Sequence, residues 1–560
     1  MRKLICAIAS GVFFLQAGGV FAADAVVTND VEGASKTNIA IGENNVANTG
    51  SIKLKTIEGI VVNKAEGDSV NLAIGEGNKS NLGSIDMTQS KGTAINFTKN
   101  GTVVTVGKGN EANLGSIDVK NSTGTVVNMN DGGTNLAIGK DNKANLGSVG
   151  VDGIKEGVVN LNKGGINAAI GENNEANLGS VKNSDAVVNK NEGGTNIAVG
   201  DGNKANLGSV GTSKNVVNIS QGGTNIAAGS GNEANLGSVL GSEKAVNISQ
   251  GGTNIAAGSS STANLGSTVN SKNTVNISGG GTNIAVDGGK ANLGSTVNSK
   301  DVVNISAGGT NIATSGGKAN LGSTVDSSNV VNISGGGTNI ATGGGKANLG
   351  STVNSKDVVN ISAGGTNVAV GGGKANLGSV VDSSGVTNVS GGGTNIAVGG
   401  GKANLGSVVN SSGVTNVSGG GTNIAAGGGK ANLGSVVNSS GVTNISAGGT
   451  NVAVGGTANL GSVVNSSGVT NISGGGTNVA LGGTATLGSV VNSAGVTNIS
   501  AGGTNIAAGG TAILGSVVNT GGVTNVSAGG TNVAGGGAAI MNSVVSGVEF
   551  DQLGRPKKGL

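Results

Sequence analysis

The chain has 560 residues, of which 113 are glycine, with no Trp or Tyr, five Phe, one Pro and a formal net charge of +3. A core built on large aromatic rings is excluded, so any apolar interior must be thin and made of Ile, Val, Leu and Ala. The balance of 32 Lys and Arg against 29 Asp and Glu argues against a strongly charged partner, and the absence of His removes the commonest general base.

The first 22 residues read as a secretory signal: Arg2 and Lys3, an apolar stretch from Leu4 to Phe21, and a small-residue end at Ala22 where cleavage is expected. Ser10, Gln16, Gly18 and Gly19 interrupt the apolar run and make it short for a bilayer span, and no later run is long enough, so no membrane span is expected in the mature chain. The single cysteine, Cys6, lies inside this signal, which leaves the mature chain without disulfide or thiol chemistry. Loss of Arg2 and Lys3 takes the formal charge from +3 to +1.

After the signal the chain is one motif repeated in about seventeen tandem copies of 27–33 residues. Residues 23–190 hold charged, long-period copies; 191–430 hold regular copies of 28–29 residues; 431–545 hold uncharged, degenerating copies; 546–560 form a tail that breaks the pattern. A central copy runs Gly393-Thr394-Asn395-Ile396-Ala397, then Lys402-Ala403-Asn404-Leu405-Gly406-Ser407-Val408-Val409, then Val414-Thr415-Asn416-Val417-Ser418. Three times per copy an Asn precedes a branched aliphatic and a small residue.

The Asn spacings show where length is free to change. They run 15, 7 and 10 from Asn113, 12, 7 and 10 from Asn206, and 12, 7 and 9 from Asn404. The 7-residue step across the Gly-Gly turn is kept in all these copies. Stacked strands with exposed loops predict this, because a one-residue slip inside a strand inverts every side chain whereas a longer surface turn costs little. Val, Ile and Thr favour the pleat, and Gly-Gly, Ser-Ser-Gly and Gly-Gly-Gly-Lys supply turns. The fold expected is all-β: a parallel β-solenoid (β-helix) or cross-β stack. Asn395, Asn404, Asn416, Asn423, Asn432 and Asn444 are expected in hydrogen-bonded ladders along the axis, with stacked Ile, Leu and Val closing a dry interior. Asn410 fits simple turn preference instead.

Lys290, Lys318, Lys346, Lys374, Lys402 and Lys430 recur every 28 residues and fall in one column on successive coils. Like charges about 4.8 Å apart repel by roughly 0.9 kcal/mol in water and roughly 3.5 kcal/mol at an effective dielectric of 20, so the column must face solvent. It is a candidate stripe for acidic polysaccharide or extracellular nucleic acid; a solvated turn whose charge limits sideways aggregation is the plainer alternative. From Ala431 to Val548 there is no charged residue, so these β-rich copies lack gatekeepers against intermolecular pairing. Late copies also carry Thr486 and Ile513 in place of Asn, and the tail contains Phe550 and Arg555-Pro556-Lys557-Lys558.

No catalytic constellation is present: there is no His, no mature Cys and no paired carboxylate at a repeated position, so the chain is expected not to be an enzyme. Calcium-binding β-rolls need Asp at a fixed place in each repeat, and most copies lack one, so neither metal nor other cofactor is expected.

Written out, Gly223-Thr224-Asn225-Ile226-Ala227-Ala228-Gly229-Ser230-Gly231-Asn232-Glu233-Ala234-Asn235 resembles the repeats of Fap-type bacterial functional amyloid subunits, as does Asn71-Leu72-Ala73-Ile74-Gly75-Glu76-Gly77-Asn78-Lys79-Ser80-Asn81. Gln is scarce here, and the C-terminal Cys-x-x-Cys of that family is absent. The resemblance implies passage through outer-membrane export machinery and a place in a biofilm or surface fibre. The function expected is thus a secreted structural subunit, extracellular or at the cell surface, that self-associates into amyloid-like fibres. The alternative is a monomeric repeat adhesin or stalk facing polysaccharide, a host or ice, the last hinted at by Thr394, Thr422 and Thr450.

Overall fold

The computed structural model describes residues 25–545 with gaps at turns, the longest at 32–36, 121–124, 153–156 and 519–523. The signal segment 1–22 with Cys6, and the tail from 546 with Phe550, lie outside the described residues. Strands are the only regular structure among the described residues, and no helix occurs. The chain forms two compact units, Met1–Gly289 and Lys290–Leu560.

Each unit is a parallel β-solenoid in which one sequence copy makes one coil. A coil of the second unit consists of the strands Ser384–Ser390, Thr394–Val398, Lys402–Leu405 and Val408–Val409. In the first unit the corresponding strands are Lys214–Gln221, Thr224–Ser230, Glu233–Leu236 and Val239–Leu240. Each strand pairs in parallel with its equivalent one coil away, giving four sheets along the axis. The register puts Asn388 on Asn416, Asn395 on Asn423, Asn404 on Asn432 and Val408 on Val436. The fourth strand, a Val-Val or Thr-Val pair in the second unit and Val239–Leu240 in the first-unit coil above, has no Asn to advertise it and is the element that the spacing argument missed.

Side chains alternate across each strand, and this corrects one expectation about the interior. With Asn388 and Asn395 pointing inward, the following aliphatics must point outward: Val389 and Val398 are 41% and 38% exposed, and Ile396 is half-buried. The interior is instead filled by Val386, Asn388 and Ser390 from the first sheet and Asn395 and Ala397 from the second. Ala403, Leu405 and Val408 add to it from the third and fourth. Its apolar seam joins first-sheet and fourth-sheet residues, Val358, Val386, Val414 and Val442 with Val380, Val408 and Val436. In the first unit the same seam is built from Val126, Val158 and Val187 with Ile117, Val149 and Val181. Each buried Leu adds roughly 1.5–3 kcal/mol over an exposed one, so the Leu of the third strand, repeated coil after coil, is the largest single apolar contribution.

Corners follow from residue chemistry. Gly406, between third and fourth strands, has φ +53°, and a Cβ there would overlap Ser418 of the next coil, so two independent constraints select glycine. Asn410 at the following corner has φ +50°, the left-handed region that Asn tolerates better than other non-glycine residues. Backbone amides at corners continue the inter-coil ladder: Gly406 N–H donates to Leu377 O at 3.0 Å, Gly419 to Ser390 O at 2.7 Å and Thr422 to Gly393 O at 2.8 Å. The polar groups of the corners therefore do not interrupt the stack.

Candidate functional site

Three columns of Asn run along the coils, the second-sheet one interrupted at Val103 in the first unit and the third-sheet one ending at Asn459 in the second. In the first sheet each amide donates to the next coil: Asn388 Nδ2 to Asn416 Oδ1 at 2.6 Å, Asn416 to Asn444 at 2.7 Å and Asn444 to Asn471 at 2.7 Å. The remaining N–H of Asn416 reaches Gly406 O at 2.6 Å, and that of Asn444 reaches Gly434 O at 2.6 Å, fixing the amide orientation. The second sheet repeats the arrangement, with Asn395 donating to Asn423 at 2.9 Å and Asn423 to Asn451 at 2.9 Å, and with Ala375 O and Ala403 O as further acceptors. In the third sheet the amides donate to the preceding coil instead, Asn404 to Asn376 and Asn432 to Asn404, both at 2.9 Å. All six Asn proposed from the sequence are buried in these ladders. Asn410 is an exposed corner residue that donates to Asp382 at 3.0 Å.

The ladders have boundaries. In the third sheet Asn459 is followed in register by Thr486, Ile513 and Ile540. Another first-sheet column runs as a ladder from Asn130 through Asn162 to Asn191. It then changes to Ser220, Ser249 and Ser278, whose buried hydroxyls have no partner. Serine is too short to span one coil spacing, so the side-chain ladder stops where the amide is lost.

The six lysines occupy the first position of the third strand and pair in register, Lys290 with Lys318, Lys346, Lys374, Lys402 and Lys430 in succession. Lys290, Lys402 and Lys430 are exposed and Lys318, Lys346 and Lys374 half-buried. Among the described residues none of the six lies in an ion pair.

The equivalent column of the first unit is of different character, and sequence spacing alone did not reveal it. Lys79, Glu111, Lys143, Glu175, Lys204 and Glu233 alternate in sign, aligned by the strands that follow them. Lys79 and Glu111 are 3.8 Å apart. In the turn just before, Lys108 pairs with Glu76, and its hydrogen bond and charge hold the Glu76 carboxyl below the ordinary carboxylate range. Lys182, from the fourth strand of its coil, pairs with Glu175, which shows that the fourth-strand outward position and the third-strand column share one side of the coil. Burial, reinforced by Lys204, lowers the Lys182 ammonium to about 8; loss of hydration outweighs the opposing charge of Glu233.

The outer faces of the first and second sheets are apolar and polar in stripes. Thr387, Thr415, Thr443, Thr470 and Thr497 form one exposed column, in register, beside Val389, Val417, Ile445, Ile472 and Ile499. On the second sheet Thr394 and Thr422 are half-buried and Thr450 is exposed.

No protein-family model, curated protein or solved structure matches the chain, so the resemblance to Fap-type repeats rests on the residues quoted above.

Proposed function

We propose that this repeat β-solenoid is an exported, non-enzymatic structural protein that reaches the cell surface through outer-membrane export machinery and assembles into amyloid-like extracellular fibres of a biofilm or adhesive layer. One observation carries the reading. Between Ala431 and Val548 the chain has no charge, yet Ile445, Val454, Ile472, Leu481 and Ile499 stand 39–44% exposed on outer sheet faces. Regular aliphatic stripes on uncharged β-sheet are surfaces that a neighbouring sheet covers, as in the dry interfaces between paired sheets of cross-β fibres. The signal-like residues 1–22 and the Fap-type resemblance support the address.

A second reading, a monomeric adhesin or stalk, is favoured by the exposed Thr column, which offers a regular hydroxyl array to a polysaccharide or ice surface. The chain beginning after Ala22, purified and concentrated, distinguishes the two by sedimentation and fibre diffraction. Fibres that pellet and diffract at about 4.8 and 10 Å support the fibre reading. A stable monomer at every concentration refutes it and leaves the adhesin.

A further inference from the structure

The third-strand column and the turn before it change character between the two units. From Glu76 to Glu233 these positions hold five cations, Lys79, Lys108, Lys140, Lys143 and Lys204, against seven carboxylates. In the coils bearing Lys290 to Lys430 they hold six lysines and a single carboxylate, Asp287, before the first of them. The other aspartates of those coils, Asp301, Asp326, Asp357 and Asp382, lie at or beside the corner between fourth and first strands. The chain thus uses opposite charges where it offsets inter-coil repulsion, and dispenses with them over six consecutive coils.

An uncompensated column costs stability, because neighbouring ammoniums about 4.8 Å apart repel by roughly 0.9 kcal/mol even at the dielectric of water. Alternation would remove that cost, and the first unit shows that the same coil accepts alternation. A plain solvated turn needs charge but not six like charges in a line. The approach to the column is also clear: Gly343-Gly344-Gly345, Gly371-Gly372-Gly373, Gly399-Gly400-Gly401 and Gly427-Gly428-Gly429 immediately precede four of the lysines and place no side chain beside them.

We infer that Lys290, Lys318, Lys346, Lys374, Lys402 and Lys430 form a binding rail, about 24 Å long, for an extended acidic polysaccharide lying along the solenoid axis. A linear polymer with one carboxylate or sulfate on successive sugars places anions along a straight line, and several weak contacts then act on one molecule. Single-stranded nucleic acid is the poorer fit, since its sequence-tolerant binding draws on base stacking over aromatic side chains and there is none between Lys290 and Glu549. The rail lies on the third sheet, whereas the aliphatic stripes lie on the first and second sheets.

The test writes the first unit's pattern into the second. The full mature chain carrying Lys318→Glu, Lys374→Glu and Lys430→Glu is compared with the unmodified chain for binding polygalacturonate, single-stranded DNA and neutral dextran at low and moderate salt. The unmodified chain is expected to bind polygalacturonate in a salt-sensitive manner, to bind DNA more weakly and to ignore dextran. The alternating variant should lose at least tenfold in polygalacturonate affinity with its β-sheet circular dichroism intact. Lys346→Gln, Lys374→Gln and Lys402→Gln together provide a second variant with a smaller loss should the first not fold, whereas Lys143→Gln with Lys204→Gln in the first unit should change nothing. Unchanged binding by the folded alternating or glutamine variant overturns the rail, and tighter binding of DNA than of polygalacturonate overturns the choice of ligand. Sedimentation of the same samples reports assembly separately, so failure of the fibre reading and failure of the rail are distinguishable.

Discussion

Removing one amide from an inward ladder should damage the solenoid far more than removing an Asn from a corner. In Asn416→Ala three buried groups lose a partner: Asn444 Oδ1, Gly406 O and the N–H of Asn388 that had bonded Asn416 Oδ1. At about 1–2 kcal/mol for each stranded group the local cost is about 3–6 kcal/mol. Asn404→Thr strands Asn376 Oδ1 and an N–H of Asn432, in a column that already accepts Thr486 in register, and should cost about 2–4 kcal/mol. Asn410→Gly relieves a left-handed non-glycine residue in an exposed corner and should be near neutral. Because long repeat arrays do not unfold in a single step, the assay is hydrogen exchange by mass spectrometry on peptides spanning 384–446 rather than a melting temperature. Protection around 388–444 should fall roughly a hundredfold to ten-thousandfold in Asn416→Ala, roughly thirtyfold to a thousandfold in Asn404→Thr and hardly at all in Asn410→Gly. Equal effects at 416 and 410, or undisturbed protection in Asn416→Ala, would show that the stacked amides do not hold the coils together.

Gly413→Ala, with φ +58° but only an ordinary 3.9 Å contact with Gly385 N for a new Cβ, should cost about 1–2 kcal/mol of local stability, whereas Gly406→Ala adds overlap with Ser418 and should cost more; comparative proteolysis of the two variants checks the order. Lys182, held at about 8 in the folded chain against an ordinary 10.5, binds fewer protons folded than unfolded between those values, so local stability should rise as pH climbs from 8 to 10.5. The effect is small because the side chain is 37% exposed, and Lys182→Met should flatten it in exchange measured across that range. Ile445→Lys with Ile472→Lys should leave circular dichroism unchanged and suppress pelleting of the assembled protein; fibres of undiminished yield would remove the outer stripes from the assembly mechanism.

Much of this architecture was legible in the chain because the repeat converts register into arithmetic. The step of seven, from Asn416 to Asn423, located the corner between first and second strands, which is longer at Asn29–Asn38 and Asn63–Asn71, and the recurrence of Asn404 and Asn432 located a stack. The facing of the strands was not legible from composition. Hydrophobicity assigned Ile396 and Val417 to the interior, but the neighbouring amides take that place because a continuous ladder satisfies them, and the two-residue pleat then sends the aliphatics out. Val408-Val409 escaped notice as a strand because two residues carry no periodicity; only pairing with Val436-Val437 defines it. The sign alternation from Lys79 to Glu233 was hidden by changing copy length and appeared once the coils were aligned by Ala and Asn of the third strand.

The opposed directions of the amide columns give the stack a grammar. In the second unit as far as Asn459, a coil shows its successor the N–H groups of two columns and the oxygen of the third, and shows its predecessor the converse. A further coil laid on in the same sense finds acceptor for donor in the first- and second-sheet columns, which continue to Asn498 and Asn532, while one laid on upside down sets N–H against N–H. In the proposed fibre, growth through such an end would be heterologous, with every subunit pointing the same way.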